Sequence, residues 1–80
     1  MRLDKYLKVS RIIKRRTVAN EVCDAGRVSV NGRAARASYE VRLGDVIGLT
    51  FGERKLRVKV LSTEEKTGKD ASREMYESVD

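Results

Sequence analysis

The feature that most constrains this fold is a change of hydrophobic period at Gly26. Before it, apolar residues recur at helical spacing. Leu3, Tyr6, Leu7 and Ser10 share one side of a helix expected over residues 2–10, and Val18, Val22 and Ala25 make an i, i+4, i+7 stripe on a second. After it the period is two. Val28 and Val30 alternate with polar neighbours, and Asn31-Gly32 is a strong signal for a two-residue hairpin turn. Arg33 to Ala37 is the expected returning strand, and Tyr39 and Val41 extend the sheet. Gly44-Asp45 turns the chain, Ile47, Leu49 and Phe51 alternate, Gly52-Glu53 turns it again, and Leu56, Val58 and Val60 alternate with Arg57 and Lys59. Two helices followed by a run of short strands predict an α+β fold: two N-terminal helices packed on a short antiparallel-rich sheet.

The helix ends carry their own signals. Thr17 is expected to cap the second helix, because its hydroxyl can accept an unpaired backbone N–H. A full capping box is missing, since position 20 is Asn and Glu21 comes one residue late. Gly26 suits the left-handed position that stops a helix. Eighty residues leave room for one core, and the patterning assigns residues 1–62 to it. Residues 63–80 read as a polar, acidic tail, flexible or helical. Ala71, Met75 and Val79 would form one face of a short terminal helix, marginal by itself. Removing residues 66–80 is expected to leave the fold intact.

Charge is concentrated at the front. Within residues 1–16 stand Arg2, Lys5, Lys8, Arg11, Lys14, Arg15 and Arg16 against the single acid Asp4, whereas residues 61–80 are net acidic. A localised positive field calls for a polyanion: nucleic acid or an anionic membrane. The first helix needs Leu3 and Leu7 for its own core, which argues against lipid. DNA reading fits poorly too, because the helical stretch from Val18 to Ala25 holds no Arg or Lys with which to enter a major groove. RNA is the remaining partner. Arg2, Arg11, Arg15 and Arg16 lead as contacts, since a guanidinium pairs bidentately with phosphate and stacks on exposed bases. Lys5, Lys8 and Lys14 add long-range attraction. Thr17 is more a cap than a ligand, and Arg27, Arg33 and Arg36 flank the hairpin turn. Asp4, which phosphate would repel, is expected to favour the helix start and to hold a neighbouring arginine. Gly26, Asn31 and Gly32 are structural.

Other chemistries find little support. One cysteine, Cys23, and no histidine offer neither a zinc site nor a thiol–imidazole pair, and Cys23 reads as a small core residue. No phosphate-cradling glycine loop and no obvious carboxylate pair is present. The chain is thus expected to be a non-catalytic binding module without cofactor or metal. It has no apolar run long enough for a membrane span or a signal peptide, so a cytoplasmic, monomeric protein is expected.

These residues resemble a known family. RLDKYL at residues 2–7, Arg11, the Arg15-Arg16-Thr17 cluster, GRVSVNG at 26–32 and VRLGD at 41–45 together look like the S4 RNA-binding domain. The resemblance spans residues 2–60 and rests on several motifs in the right order. It implies two helices against a small, bent sheet, and it puts most weight on Arg2 and Arg16. Within the family, the free-standing short form with this start is similar to members that serve bacterial ribosome-associated quality control. That would imply large-subunit rRNA and tRNA as partners, on a 50S subunit still carrying peptidyl-tRNA, alongside a factor that drives C-terminal alanine tailing. It is also similar to stand-alone heat-shock members that bind free 50S subunits. Those carry a long basic extension where this chain has an acidic tail.

Overall fold

A computed structural model describes residues 1–65 and 74–79. Two helices, α1 (Leu3–Val9) and α2 (Arg16–Asp24), precede the strands β1 (Val28–Val30), β2 (Arg33–Ala34), β3 (Val46–Phe51), β4 (Arg54–Val60) and β5 (Tyr76–Ser78). The strands form one antiparallel sheet in the order β2-β1-β3-β4-β5. The helices cover one face of it. Leu3, Tyr6 and Leu7 of α1, together with Ala19 and Cys23 of α2, share a core with Val28, Val30, Ile47, Leu49, Val58 and Val60.

The turns explain the path. Gly26 is left-handed (φ +78°), and its N–H donates to the Cys23 carbonyl while Arg27 N–H donates to that of Val22. This pair of bonds satisfies the last carbonyls of α2 and turns the chain into β1. Asn31 (φ 53°) and Gly32 (φ 85°) are both left-handed, as the tight turn between Val30 and Arg33 requires. The Asn31 amide also donates to Asp45 Oδ1 (3.1 Å), and its carbonyl oxygen accepts from Val46 N–H (3.0 Å), which fastens the turn to the start of β3.

Four expectations need correction. First, Thr17 is not the cap of α2. The helix begins at Arg16, Arg15 is the flanking residue, and no side chain caps it. Second, the buried face of α2 is Ala19 and Cys23, while Val18 is 39% exposed, because α1 lies close enough to admit only small side chains. Third, β2 stops at Ala34. Beyond it the chain leaves the sheet edge to stitch the helices together: the Ala37 carbonyl accepts from Asp4 N–H, its own N–H donates to Asp24 Oδ1, and the Tyr39 carbonyl accepts from Leu3 N–H. Tyr39 and Val41 lie outside the strands, where Glu40 makes only an isolated bridge to Arg2.

The fourth concerns the tail. Ala71 of the expected terminal helix lies outside the described residues, but Tyr76–Ser78 is a strand paired with β4. Met75 is fully buried, and its carbonyl accepts from the Tyr6 hydroxyl (2.6 Å) and from Leu61 N–H (2.8 Å). Amphipathic spacing suits a helix or a docked segment alike; the open edge of β4 decides for a strand.

Candidate nucleic-acid interface

The candidate interface is built around one carboxylate. Asp4 lies in the first turn of α1, where the helix dipole favours it, and its side chain is only 3% exposed. Oδ1 accepts from Lys5 N–H (2.8 Å) and Arg2 Nε (3.2 Å), and Oδ2 from Asn20 Nδ2 (3.2 Å). Arg16 closes the cluster, with Nε 3.4 Å from Oδ2 and Nη2 3.5 Å from Oδ1. Burial would raise the Asp4 pKa. The Asn20 amide, the Lys5 N–H and Arg16 outweigh it and hold the carboxyl below its ordinary value. At neutral pH Asp4 is therefore a fixed anion between two arginines.

The consequence is geometric. Each guanidinium turns Nε and Nη2 toward Asp4, and each arginine side chain keeps about half its surface, 49%, in solvent. Nη1 of each donates to no described residue. Two long side chains that would otherwise sample many rotamers are thus held side by side with donor edges outward, which lowers the ordering cost of binding a phosphate. A basic residue in the first turn of a helix opposes the dipole, and α2 has no acid there. Asp4 supplies the missing negative charge from α1. Beside it opens a cleft of ≈ 410 Å³ lined by Asp4, Arg16, Thr17, Asn20 and Glu21.

The remaining predicted residues surround this pair unevenly. Lys8, Arg11, Lys14 and Arg15 are exposed along the end of α1 and the link to α2. The link is tightly shaped. Arg11 is left-handed (φ 66°), its N–H donates to the Lys8 carbonyl, and Ile13 N–H returns to the Leu7 carbonyl as Ile13 enters the core. Lys5 pairs with Glu65 at 3.7 Å. Arg33 and Arg36 line a separate cleft beside Tyr39, whose hydroxyl is fixed on Asp45 Oδ2 at 2.9 Å. Arg27 belongs to neither group and lines a cleft on the sheet. Cys23 is buried, and burial, then Asp4 and Asp24, push its thiol up to about 11. Among the described residues no cluster of potential metal ligands exists, and no helix is long and apolar enough to cross a membrane.

Sequence reasoning missed Asn20. Its only trace was its place one helical turn after Arg16, which puts both on the same face of α2.

Comparison with known proteins places this geometry. The family described as the S4 domain matches residues 1–47. The chain is 53% identical to the RQC P-site tRNA stabilizing factor of Streptococcus pneumoniae over 99% of its own length and 90% of that protein's. Identity to the protein of the same name from Bacillus subtilis is 50%, over 95% of this chain and 88% of that one. Among solved structures, the trimeric heat shock protein 15 of Vibrio cholerae superposes with a TM-score of 0.89 at 28% identity, covering 99% of this chain and 81% of that one. The fold, the match over both helices and the identity to full-length relatives agree: this chain belongs to the S4 domain family.

Proposed function

We propose that this protein is a non-catalytic RNA-binding adaptor of ribosome-associated quality control. It acts in the cytoplasm as a monomer on 50S subunits that still carry peptidyl-tRNA, and steadies the P-site tRNA while a second factor extends the stalled chain with alanine. One observation carries the RNA-binding reading: Arg2 and Arg16 are held together on the buried Asp4 carboxylate with their outer edges free. Lys8, Arg11, Lys14 and Arg15 flank this pair, Thr17 and Lys5 border it, and Arg33 and Arg36 add charge in a separate cleft beyond the hairpin. Arg27 contributes from the sheet side. The choice of RNA follows the relatives, whose name specifies a P-site tRNA.

A ribosome offers this edge what it needs, which is closely spaced RNA phosphates. The protein supplies no reacting group; its effect is to make one tRNA position lower in free energy than its neighbours. The test is co-sedimentation with 50S particles that carry peptidyl-tRNA. The wild type is expected to travel with them and Arg16→Ala to stay at the top of the gradient with an unchanged far-UV spectrum. Equal sedimentation of Arg16→Ala would overturn the site. Preference for free subunits over obstructed ones would replace the quality-control role with the heat-shock one, the reading that the structural likeness to heat shock protein 15 keeps in view.

A further inference from the structure

Apart from Arg27, the sheet face turned away from the helices has no part in the reading above, on whose RNA partner the following rests. Val28, Val30, Ile47, Leu49, Val58 and Val60 point into the core, so alternation puts Ser29, Gly48, Thr50, Lys55, Arg57 and Lys59 on the other face. Register sets Ser29, Gly48 and Arg57 in one row across β1, β3 and β4, with Thr50 opposite Lys55. Arg27, one residue before β1, joins the same face by alternation. The result is a cleft of ≈ 340 Å³ with Ser29, Ala34 and Gly48 at its floor and Arg27, Lys55 and Arg57 around it. All three cations are exposed.

Gly48 is informative because nothing in the backbone demands it. The other four described glycines have left-handed φ; Gly48 does not, although it sits inside a six-residue strand where glycine weakens pairing. A strand-interior glycine marks a bulge, a bend or a close approach by a ligand or another backbone, and the unbroken β3–β4 register favours the close approach. A Cβ at position 48 would lie 2.7 Å from Ser29 Oγ, so any side chain there would displace the hydroxyl and fill the trough. The cleft also lacks aromatic residues, so it offers charge without a stacking platform.

We propose that this outer face is a second binding site for an RNA backbone, so that the domain holds two RNA segments at once. One segment lies on the Arg2–Arg16 edge. The other lies over the sheet, with successive phosphates taken by Lys55 and Arg57 along β4 and a further one by Arg27 across β3. Alternate residues on β4 stand about 6.7 Å apart, a spacing comparable with that of successive phosphates on an RNA strand. Glu77 lies opposite Lys59 in register, which directs the strand toward the Lys55 end. A file of cations over small residues suits a regular polyanion better than an acidic protein surface. Gly48 and β4 lie beyond residues 1–47, whereas Arg27, Ser29 and Ala34 lie within the family match.

The test uses a short RNA hairpin in two batches, one with a donor dye and one with an acceptor. Wild-type protein at low salt is expected to bring the two dyes together and to form a complex with two hairpins per chain by native mass spectrometry. The double variant Lys55→Ala/Arg57→Ala should bind one hairpin and lose the energy transfer. Its second binding event should vanish together with roughly 1.4–1.8 of the log–log salt slope, the share of two phosphates. Gly48→Val should do the same with all charges kept, and valine suits a strand, so its melting curve should stay cooperative. Arg16→Ala removes the other site, so its single-hairpin complex should depend on Lys55. Only one hairpin on the wild type, or two on Lys55→Ala/Arg57→Ala, would overturn the proposal. A one-hairpin complex that Arg16→Ala abolishes would leave the helix-edge reading standing while removing this one.

Discussion

Asp4→Asn separates preorganisation from simple charge attraction. The substitution keeps the shape of the side chain. It places an NH2 group where one carboxylate oxygen now meets only donors: Arg2, Arg16 and either Asn20 or the Lys5 N–H. The cost follows from the environment. Each arginine is about half exposed, so the two ion pairs are screened and together contribute about 1 kcal/mol. The bonds from Lys5 N–H and Asn20 are local to a buried anion and together account for a further ~1 kcal/mol. A loss of about 2 kcal/mol corresponds to a fall in Tm of about 8–16 °C for a domain of this size. Far-UV circular dichroism against temperature at neutral pH measures it.

The acid response and the RNA affinity make the experiment decisive. The Asp4 pKa is lowered in the folded state, so its stabilisation is present above the unfolded carboxylate pKa of about 3.9. It is lost as pH falls through the lower folded value. Wild type and Asp4→Asn should therefore differ at pH 7 and converge in strong acid. Asp4→Asn also adds one positive unit to a formal net charge of +6, so charge attraction alone predicts tighter RNA binding. Held arginines predict the reverse, with affinity falling about tenfold, or about 1.4 kcal/mol, because two side chains must be ordered on binding. RNA binding by Asp4→Asn equal to or tighter than wild type would refute the preorganised site. A stability difference that does not change with pH would refute the ionised, buried carboxylate.

Three further outcomes follow from the same geometry. Arg11→Gly should raise stability by about 1 kcal/mol in urea denaturation, because it relieves a left-handed non-glycine residue at the end of α1, while weakening RNA binding through the lost cation. Met75→Ala should lose about 3 kcal/mol through the cavity it leaves beneath α1 and β4, and deleting residues 74–80 should abolish the cooperative melt, which reverses the expectation from sequence that the tail is dispensable. Cys23, buried and with its thiol raised to about 11, should react with a thiol reagent at neutral pH only at the rate of opening, and promptly in denaturant.

Local signals were legible where they were self-contained. The Leu3, Tyr6 and Leu7 face lies three and four residues apart, and all three side chains are fully buried. Gly26 and Asn31-Gly32 act through their own dihedral angles, and both turns form where the residue types demand them. The β3–β4 hairpin pairs in the register that alternation implies. Signals that depend on a distant neighbour were read less well. Thr17 has the chemistry of a cap, yet α2 starts two residues earlier than such a cap implies, at Arg16, which finds Asp4 twelve positions away. The Val18 stripe is the more hydrophobic choice, but α1 packs closely and accepts Ala19 and Cys23 instead.

The sequence by itself therefore determined the two helices and the strands β1 to β4 in their order, the side of α1 that is dry and the concentration of cations in the first sixteen residues. These follow from periodicity, turn chemistry and charge, each of which acts within a few residues. Tertiary structure alone decided which cations stand together. Arg2 and Arg16 meet because residues 37–39 hold the start of α1 against the sheet edge and α2 crosses beside it, so that one buried carboxylate can reach both. It also decided that residues 76–78 close the sheet, since an unpaired edge of β4 exists only once β3 and β4 have formed. Arg27, Lys55 and Arg57 share a face for the same reason: a pleated sheet brings alternate residues of separate strands to one side, and that juxtaposition is written in the register.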